Sequence, residues 1–135
     1  MVIDHLLALK GISPFSRLRD SELVLIANVV REVVYPPGAK VFGTGRPLPA
    51  LHIVIDGRVQ GPDGVALPAV FGVESLLLDQ PAVGPLAADP CHGARCLLIS
   101  RAHFFTMVNE CPALTVGFIE DFIGPGAAGV MREAP

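Results

Sequence analysis

Apolar residues at the start of the chain recur at the spacing of amphipathic helices. A first apolar stripe covers residues 3–9, and Gly11 with the following Ser13 and Pro14 ends it. Asp20 or Ser21 is a typical N-cap for a second helix, which the pattern predicts as far as Arg31. The apolar residues of this second helix lie on both of its sides, which predicts burial from two directions. They are Leu23, Ile26, Ala27 and Val30 on one side and Val24, Leu25 and Val29 on the other.

The period then changes to that of short strands separated by glycine and proline. The pattern predicts strands at residues 33–35, 40–42, 51–55, 58–60, 65–70 and 94–100, and a proline-rich loop that leads into a strand near residue 88. Turn signals stand between them at residues 36–38, 43–45, 56–57 and 61–64. Close spacing of short strands indicates an antiparallel sandwich or barrel.

Helical spacing returns near the end of the chain. Ser100 is a candidate N-cap for a helix over residues 101–108, with Phe104, Met107 and Val108 on its inner side. Pro112 begins another helix, whose apolar residues are Leu114, Phe118, Ile119 and Phe122. The Gly-Pro-Gly sequence at 124–126 ends it. We therefore expect one domain over residues 1–124 and a flexible tail over 125–135.

Composition excludes several classes of function. The 135 residues carry a net charge of −3 without any run of one sign, so no basic surface for nucleic acid is expected. Half of the residues are hydrophobic, but no apolar run approaches the roughly 20 residues of a membrane span. No signal peptide opens the sequence, and three cysteines fit a reduced, cytoplasmic protein. The apolar excess favours a protein partner or a homodimer, formed through the terminal helices.

Five segments together resemble the cyclic nucleotide-binding domain family, the sensor module of CRP-type regulators, cyclic-nucleotide-dependent kinases and gated channels. They read PFSRL at 14–18, YPPG at 35–38, LHIVIDGRV at 51–59, FG at 71–72 before an apolar helix, and LISRAHF at 98–104. The resemblance spans residues 6–122. It implies a mainly β fold with flanking helices, a double-stranded β-helix or jelly roll.

Residues 71–84, here called the cassette segment, match the family's phosphate-binding cassette in position. The resemblance implies Phe-Gly-Glu, a small aliphatic helix and then Pro-Arg-Ser/Thr-Ala, where the glutamate receives the ribose 2′-hydroxyl and the arginine pairs with the cyclic phosphate. In this chain those positions hold Val73 for the glutamate, Ala82 for the arginine and Val83 for the hydroxyl, with Gly84 after them. Loss of both anchors predicts a fall in affinity of about a thousandfold or more. The candidate site residues are Phe71, Gly72, Val73, Glu74, Ser75, Pro81, Ala82 and Val83.

An alternative rests on two polar residues of the same segment. Glu74 lies one position beyond the expected glutamate, and Ser75 carries a hydroxyl. With the backbone N–H groups of residues 72–75 they could hold a cyclic nucleotide or another anionic effector. The simpler explanation is that Glu74 is a solvated carboxylate at a helix start, which the helix dipole favours.

Other chemistry finds little support in the sequence. The histidines at 5, 52, 92 and 103 form no His-x-His pair, and Cys91, His92 and Cys96 lack the four-ligand spacing of a zinc site. No serine or cysteine lies in a nucleophile-elbow context. We therefore expect a non-catalytic regulatory or protein-interaction module that needs no cofactor. The connection between residues 58 and 70 is shorter than in the family, which predicts a shorter pocket wall.

Overall fold

A computed structural model describes residues 2–13, 15–43, 45–82 and 84–120, without the side chain of Val2. The predicted domain boundary at 124 and the predicted tail lie outside these residues. Two compact units are present, one made of the residues up to Val29 and from Ala102 onward, the other of Val30–Arg101. In chain order the elements are α1 (Val2–Lys10), α2 (Asp20–Val29), β1 (Arg31–Tyr35), β2 (Lys40–Phe42), β3 (Ala50–Gly57), β4 (Val59–Gln60), β5 (Val70–Phe71), α3 (Val73–Leu78), β6 (Leu86–Ala88), β7 (Ala94–Ser100), α4 (Arg101–Glu110) and α5 (Pro112–Phe118).

Three aromatic side chains form the centre of the core of the helical unit. Phe15 lies in a short 3-10 turn, and its ring contacts Phe118 edge to face at 5.7 Å between centroids. Phe104 of α4 contacts the same ring at 5.5 Å, and all three side chains are fully buried. Aromatic pairs of this geometry add to the free energy gained from burying the rings. The predicted inner residues Phe104, Met107, Leu114 and Phe118 are buried, Val108 and Ile119 are half-buried, and Phe122 lies outside the described residues.

Helix α2 differs from its prediction at two points. It ends at Val29, because Arg31 already belongs to β1 and lies opposite Leu98 of β7. Tertiary strand pairing thus overrides the helical spacing. The expected burial from two directions is also wrong: Leu23, Ile26 and Ala27 are buried, but Leu25 is 63% exposed.

The β unit is a sandwich of two antiparallel sheets, as the sequence predicted. One sheet has the strand order β1-β7-β3-β5 and the other β2-β6-β4. Ala50, Phe71, Leu86 and Leu98 belong to one core cluster, to which both sheets contribute. Residues Leu51 and Ile53 alternate with Ala50 along β3 and are also fully buried, which explains why this strand is apolar at nearly every position.

The predicted strand at 65–70 is largely wrong. Val70 and Phe71 pair as β5, Ala66 forms an isolated bridge with Gln60, and Val65 is 63% exposed. The preceding residues fold back on β4 instead: the Gly61 N–H donates to the Val65 carbonyl, and the Leu67 N–H donates to the Val59 carbonyl. The strand expected after the proline-rich loop is β6, which lies in the centre of the smaller sheet.

None of the helices in the described part of the chain is long and apolar enough to cross a membrane.

Candidate ligand cavity at the cassette segment

The first half of the cassette segment is fixed by β5 and a left-handed glycine. Phe71 lies opposite His52 of β3, and Gly72 then begins α3 with φ at 100°. A Cβ on Gly72 would stand only 3.0 Å from the carbonyl oxygen of Ala50, so both the backbone angle and the space require glycine. Helix α3 ends at Asp79, whose N–H donates to the Glu74 carbonyl. The Phe-Gly turn into a short helix therefore forms as the sequence predicted.

A cavity of about 290 Å³ lies against this turn. Five of the predicted site residues contribute to its wall: Phe71, Gly72, Glu74, Ser75 and Ala82. Two do not, because Val73 is fully buried on another side of α3 and Pro81 pairs with Pro47 in an isolated bridge. Val83 lies outside the described residues. Leu48, Leu86 and the residues that follow β4 complete the wall, and the last group belongs to the connection that the sequence assigned to the pocket wall.

The charged residues on this wall are both acidic. They are Glu74 and Asp63, and the described lining includes no lysine or arginine. The Asp63 carboxylate accepts a hydrogen bond from the Val65 N–H at 3.1 Å, which orders the turn. Glu74 is half-buried, and within the described ranges its carboxylate makes no hydrogen bond or ion pair. The cavity thus combines apolar walls with negative charge.

One polar group that the sequence offered as an anion ligand, the Ser75 hydroxyl, is bonded within the protein, and so are two neighbouring backbone N–H groups. The Ser75 hydroxyl is buried and donates to the Gln80 carbonyl at 2.7 Å. The Ala82 N–H donates to the Arg46 carbonyl at 3.1 Å, and the Leu76 N–H donates to the Gly72 carbonyl. A hydrogen bond of this kind would have to break before the donor could bind a phosphate, which reduces any gain in affinity.

Arg46 is the basic residue that this backbone bond ties to the cassette segment. Its guanidinium carbon lies 6.0 Å from the centre of the Phe42 ring, at the limit of a cation–π contact. Arg46 does not line the cavity. Its position next to Ala82 makes it the residue to test if an anion were bound here.

Pro62 closes the second half of the cassette segment. Its ring packs so tightly on Gly84 that a Cβ at position 84 would lie 2.5 Å from the Pro62 Cγ. The family resemblance implies alanine at this position. The absence of a Cβ at position 84 therefore leaves space for the turn over residues 61–64. The short connection between β4 and β5 packs against the cassette segment through this contact.

His52 lies behind the cavity and has a structural role. Its ring is buried and stacks on Phe71 at 4.8 Å between centroids. The Nδ1 atom lies 3.1 Å from the Ala50 carbonyl, so it carries the proton and donates. Burial lowers the pKa of His52, because the charged form would lose its hydration. No group of three metal-ligating side chains occurs among the described residues.

A second polar site lies at the turn between β6 and β7. Asp89 is buried, and its Oδ2 accepts hydrogen bonds from the backbone N–H and the Nδ1 of His92, both at 2.9 Å. The backbone of Asp89 joins two turns, since its carbonyl accepts from the N–H groups of Gly93 and Gly38. The bond from the His92 side chain is the main cause that lowers the pKa of Asp89. This carboxylate serves the fold.

Comparison with known proteins supports the fold. Scans against protein-family models and against curated sequences find no match. Among solved structures, cAMP-bound PfPKA-R (141–441) matches with a TM-score of 0.74 at 14% identity, over 97% of this chain and 47% of that one. The regulatory subunit of a cAMP-independent protein kinase A from Trypanosoma brucei matches at 0.73 and 17%, over 99% and 53%.

A third match is the corresponding Trypanosoma cruzi subunit bound to guanosine, with a TM-score of 0.69 at 17% identity, over 98% of this chain and 50% of that one. The chain thus spans about half the length of these structures. Its architecture of antiparallel sheets with flanking helices is the one that these regulatory proteins contain. The chain therefore has the fold of cyclic nucleotide-binding regulatory domains.

Proposed function

We propose that this chain is a non-catalytic regulatory or protein-interaction module that has lost ordinary binding of cAMP and cGMP. The observation that carries the proposal is the charge of the cavity wall, where Glu74 and Asp63 stand and no basic residue of the described chain contributes. A phosphate placed there would meet carboxylates and apolar groups, and its charge would stay unpaired. The structural neighbours are regulatory subunits or domains, which supports regulation rather than catalysis.

Calorimetric titration with cAMP and cGMP tests the proposal directly. We expect no saturable heat with either nucleotide up to millimolar concentration. Saturation in the micromolar range would contradict the loss of binding. In that case the variant Arg46→Ala would test which residue binds the phosphate, because it weakens the binding only if Arg46 has replaced the missing cassette arginine.

Restoring a cation provides the complementary experiment. Ala82→Arg puts a guanidinium on the cavity wall, where a charged hydrogen bond is worth roughly 1.5–3 kcal/mol. We expect cAMP affinity to rise at least about tenfold over the wild type. The matched control is Ala113→Arg on the exposed face of α5, which adds the same charge without lining the cavity and leaves the affinity unchanged.

A small-molecule sensor is the second candidate function. The cavity itself favours it, since its volume approaches the lower limit of ordinary ligand pockets. The anionic effector considered from the sequence fits less well, because the Ser75 hydroxyl bonds within the protein and the wall carries two carboxylates. The guanosine-bound structural neighbour carries an uncharged nucleoside, so titration with guanosine belongs in the same series.

The regulatory role requires a protein partner or a second copy of the chain. Three large apolar side chains, Ile3 and Leu7 on α1 and Leu25 on α2, are each more than 60% exposed. Exposed apolar surface of this kind supports association. Light scattering on the purified protein is expected to show a dimer that Leu7→Lys dissociates. A monomer that also captures no partner would contradict the interaction module.

We place the protein in the cytoplasm on its free cysteines and sequence composition.

A further inference from the structure

The cavity at the cassette segment has the properties of a site for a cationic apolar ligand, an inference that rests on the proposed loss of phosphate binding. Its wall is formed by the residues after β4 and both ends of the cassette segment, together with one leucine before β3 and one in β6. Most of the lining side chains are apolar. They include Leu48, Val65, Leu67, Phe71 and Leu86.

Charge decides which apolar ligand this wall favours. Glu74 and Asp63 come from different elements, and both contribute to the lining. Glu74 is half-buried with its carboxylate unpartnered in the described chain, whereas the neighbouring Ser75 hydroxyl is already bonded. A carboxylate in a partly apolar site gains most from a charged hydrogen-bond donor. An anion there would be repelled, and an uncharged ligand that offers the carboxylate no hydrogen-bond donor would gain only the burial of its surface.

We propose that this cavity binds a small apolar molecule with one ammonium group, whose ring or chain lies against Phe71 and Leu86 while the ammonium pairs with Glu74. The volume of about 290 Å³ suits a ligand of one or two rings. Such a ligand would contact both the turn over residues 61–64 and α3. Ligand occupancy would thereby be coupled to the packing of Pro62 on Gly84.

Three indoles of matched shape test the choice of charge. Tryptamine is a cation at neutral pH, 3-propylindole replaces the ammonium with a methyl group, and indole-3-propionate carries a carboxylate. By calorimetry or NMR titration we expect tryptamine to bind at least about tenfold tighter than 3-propylindole, and indole-3-propionate to bind weakest. Amide shifts are expected at residues 61–67 and 71–75, which locates the ligand.

Glu74→Gln isolates the carboxylate. This variant is expected to remove the preference of tryptamine over 3-propylindole while the affinity for 3-propylindole stays within about twofold. Glu110→Gln, the same change at an exposed residue that does not line the cavity, is the matched control and keeps the preference. Ala82→Leu fills part of the cavity and is expected to weaken all three indoles, which separates cavity binding from surface attraction of a cation.

Each other outcome overturns the proposal. Equal binding of the cation and the neutral indole, tightest binding of the anion, or no binding of any of the three would show that the wall does not select a cationic ligand. A cAMP titration run beside the series keeps the two proposals apart. Saturable cAMP binding refutes the proposed function whatever the indoles do, whereas a flat cAMP titration with no indole preference refutes only the cationic ligand.

Discussion

Two carboxylates of the β unit differ in their hydrogen-bond partners. Asp89 is buried and accepts two hydrogen bonds from His92, with the Arg58 guanidinium 4.0 Å from its other oxygen. Glu74 is half-buried beside a cavity, and in the described residues its carboxylate has no partner. Buried polar groups are normally satisfied by the fold. An acidic side chain that the fold leaves unsatisfied at a cavity wall is therefore the better candidate for contact with a ligand.

The same contrast separates the other polar groups around the cassette segment. The Nδ1 of His52 and the Ser75 hydroxyl both donate to backbone carbonyls, so they stabilise the fold in the way that Asp89 does. Exposure and residue type alone do not distinguish these groups from Glu74. Hydrogen-bond partners do. Three of the four predictions below test that distinction, and the other tests how the cavity is closed.

Removal of the Asp89 carboxylate has the largest expected effect. Asp89→Ala leaves the backbone N–H of His92 without its acceptor and weakens the turn that joins β6 to β7. We expect the midpoint of thermal unfolding to fall by several degrees, measured by circular dichroism. Asp63→Ala, which removes a single hydrogen bond from an exposed turn, is the control and shifts the midpoint less. Equal midpoints for Asp89→Ala and the wild type would contradict the structural role of Asp89.

Gly84→Ala tests how the cavity is closed. The added Cβ would meet the rigid Pro62 ring, so the turn must move, and overpacking of this kind costs about 1–3 kcal/mol of unfolding free energy. Gly43→Ala is the matched control, because its Cβ would meet Lys40 at an ordinary 3.6 Å. Urea unfolding measures both. Rescue of Gly84→Ala by Pro62→Ala would confirm the contact, and an unchanged stability of the single variant would exclude it.

Acid is expected to destabilise the protein through His52. Its pKa is lower in the folded protein than the ordinary value of 6.5, because burial disfavours the charged ring. The folded state therefore binds fewer protons, so the stabilisation is complete above pH 6.5 and is lost as the pH falls through the folded pKa. The loss is at most about 1.4 kcal/mol per pH unit for one group.

Comparison with His52→Asn isolates this contribution. The variant keeps a donor for the Ala50 carbonyl but does not titrate. Urea unfolding between pH 7 and 5 is expected to show a shallower loss of stability in the variant. Asp89 adds a further loss at lower pH, since its pKa is also lowered in the folded protein. Identical slopes for variant and wild type would show that His52 is not held neutral by burial.

Glu74→Ala has the smallest expected effect on stability. Its carboxylate bonds to no described group, so the unfolding free energy is expected to stay within about 0.5 kcal/mol of the wild type. The measurement is again urea unfolding. A loss above 1 kcal/mol would mean that Glu74 serves the fold as Asp89 does, and the contrast between the two carboxylates would disappear.

Much of the β unit could be predicted from the sequence, because its strands are marked by local signals. The strand over 51–55 is apolar except at His52, so β3 was expected there, and in the structure it also includes Ala50, Asp56 and Gly57. The stretch over residues 65–70 carries similar apolar residues, but only Val70 belongs to a strand, since the backbone before it folds onto β4 through hydrogen bonds that no periodicity records. Arg31 shows the same limit, because pairing with β7 ends α2 early.

The candidate site was predicted less completely than the fold. The sequence alone showed that the cassette segment lacks an arginine and that Val73 holds the place of the expected glutamate. Only the structure places Val73 in the buried interior and Glu74, one residue later, on the cavity wall. A shift of one residue along a short helix turns a side chain by about 100°, and tertiary packing decides which side faces the cavity.

Apolar spacing, turn residues and side-chain charge are local properties of the chain, so the sandwich, its Phe-Gly turn and the lack of an arginine in the cassette segment could be read from the sequence. Only the folded structure shows that the Ser75 hydroxyl donates to the Gln80 carbonyl and that the Pro62 ring packs against Gly84. It also decided that Glu74 keeps a free carboxylate within the described chain. These outcomes depend on which atoms the fold brings into contact, and the order of residues does not record those contacts.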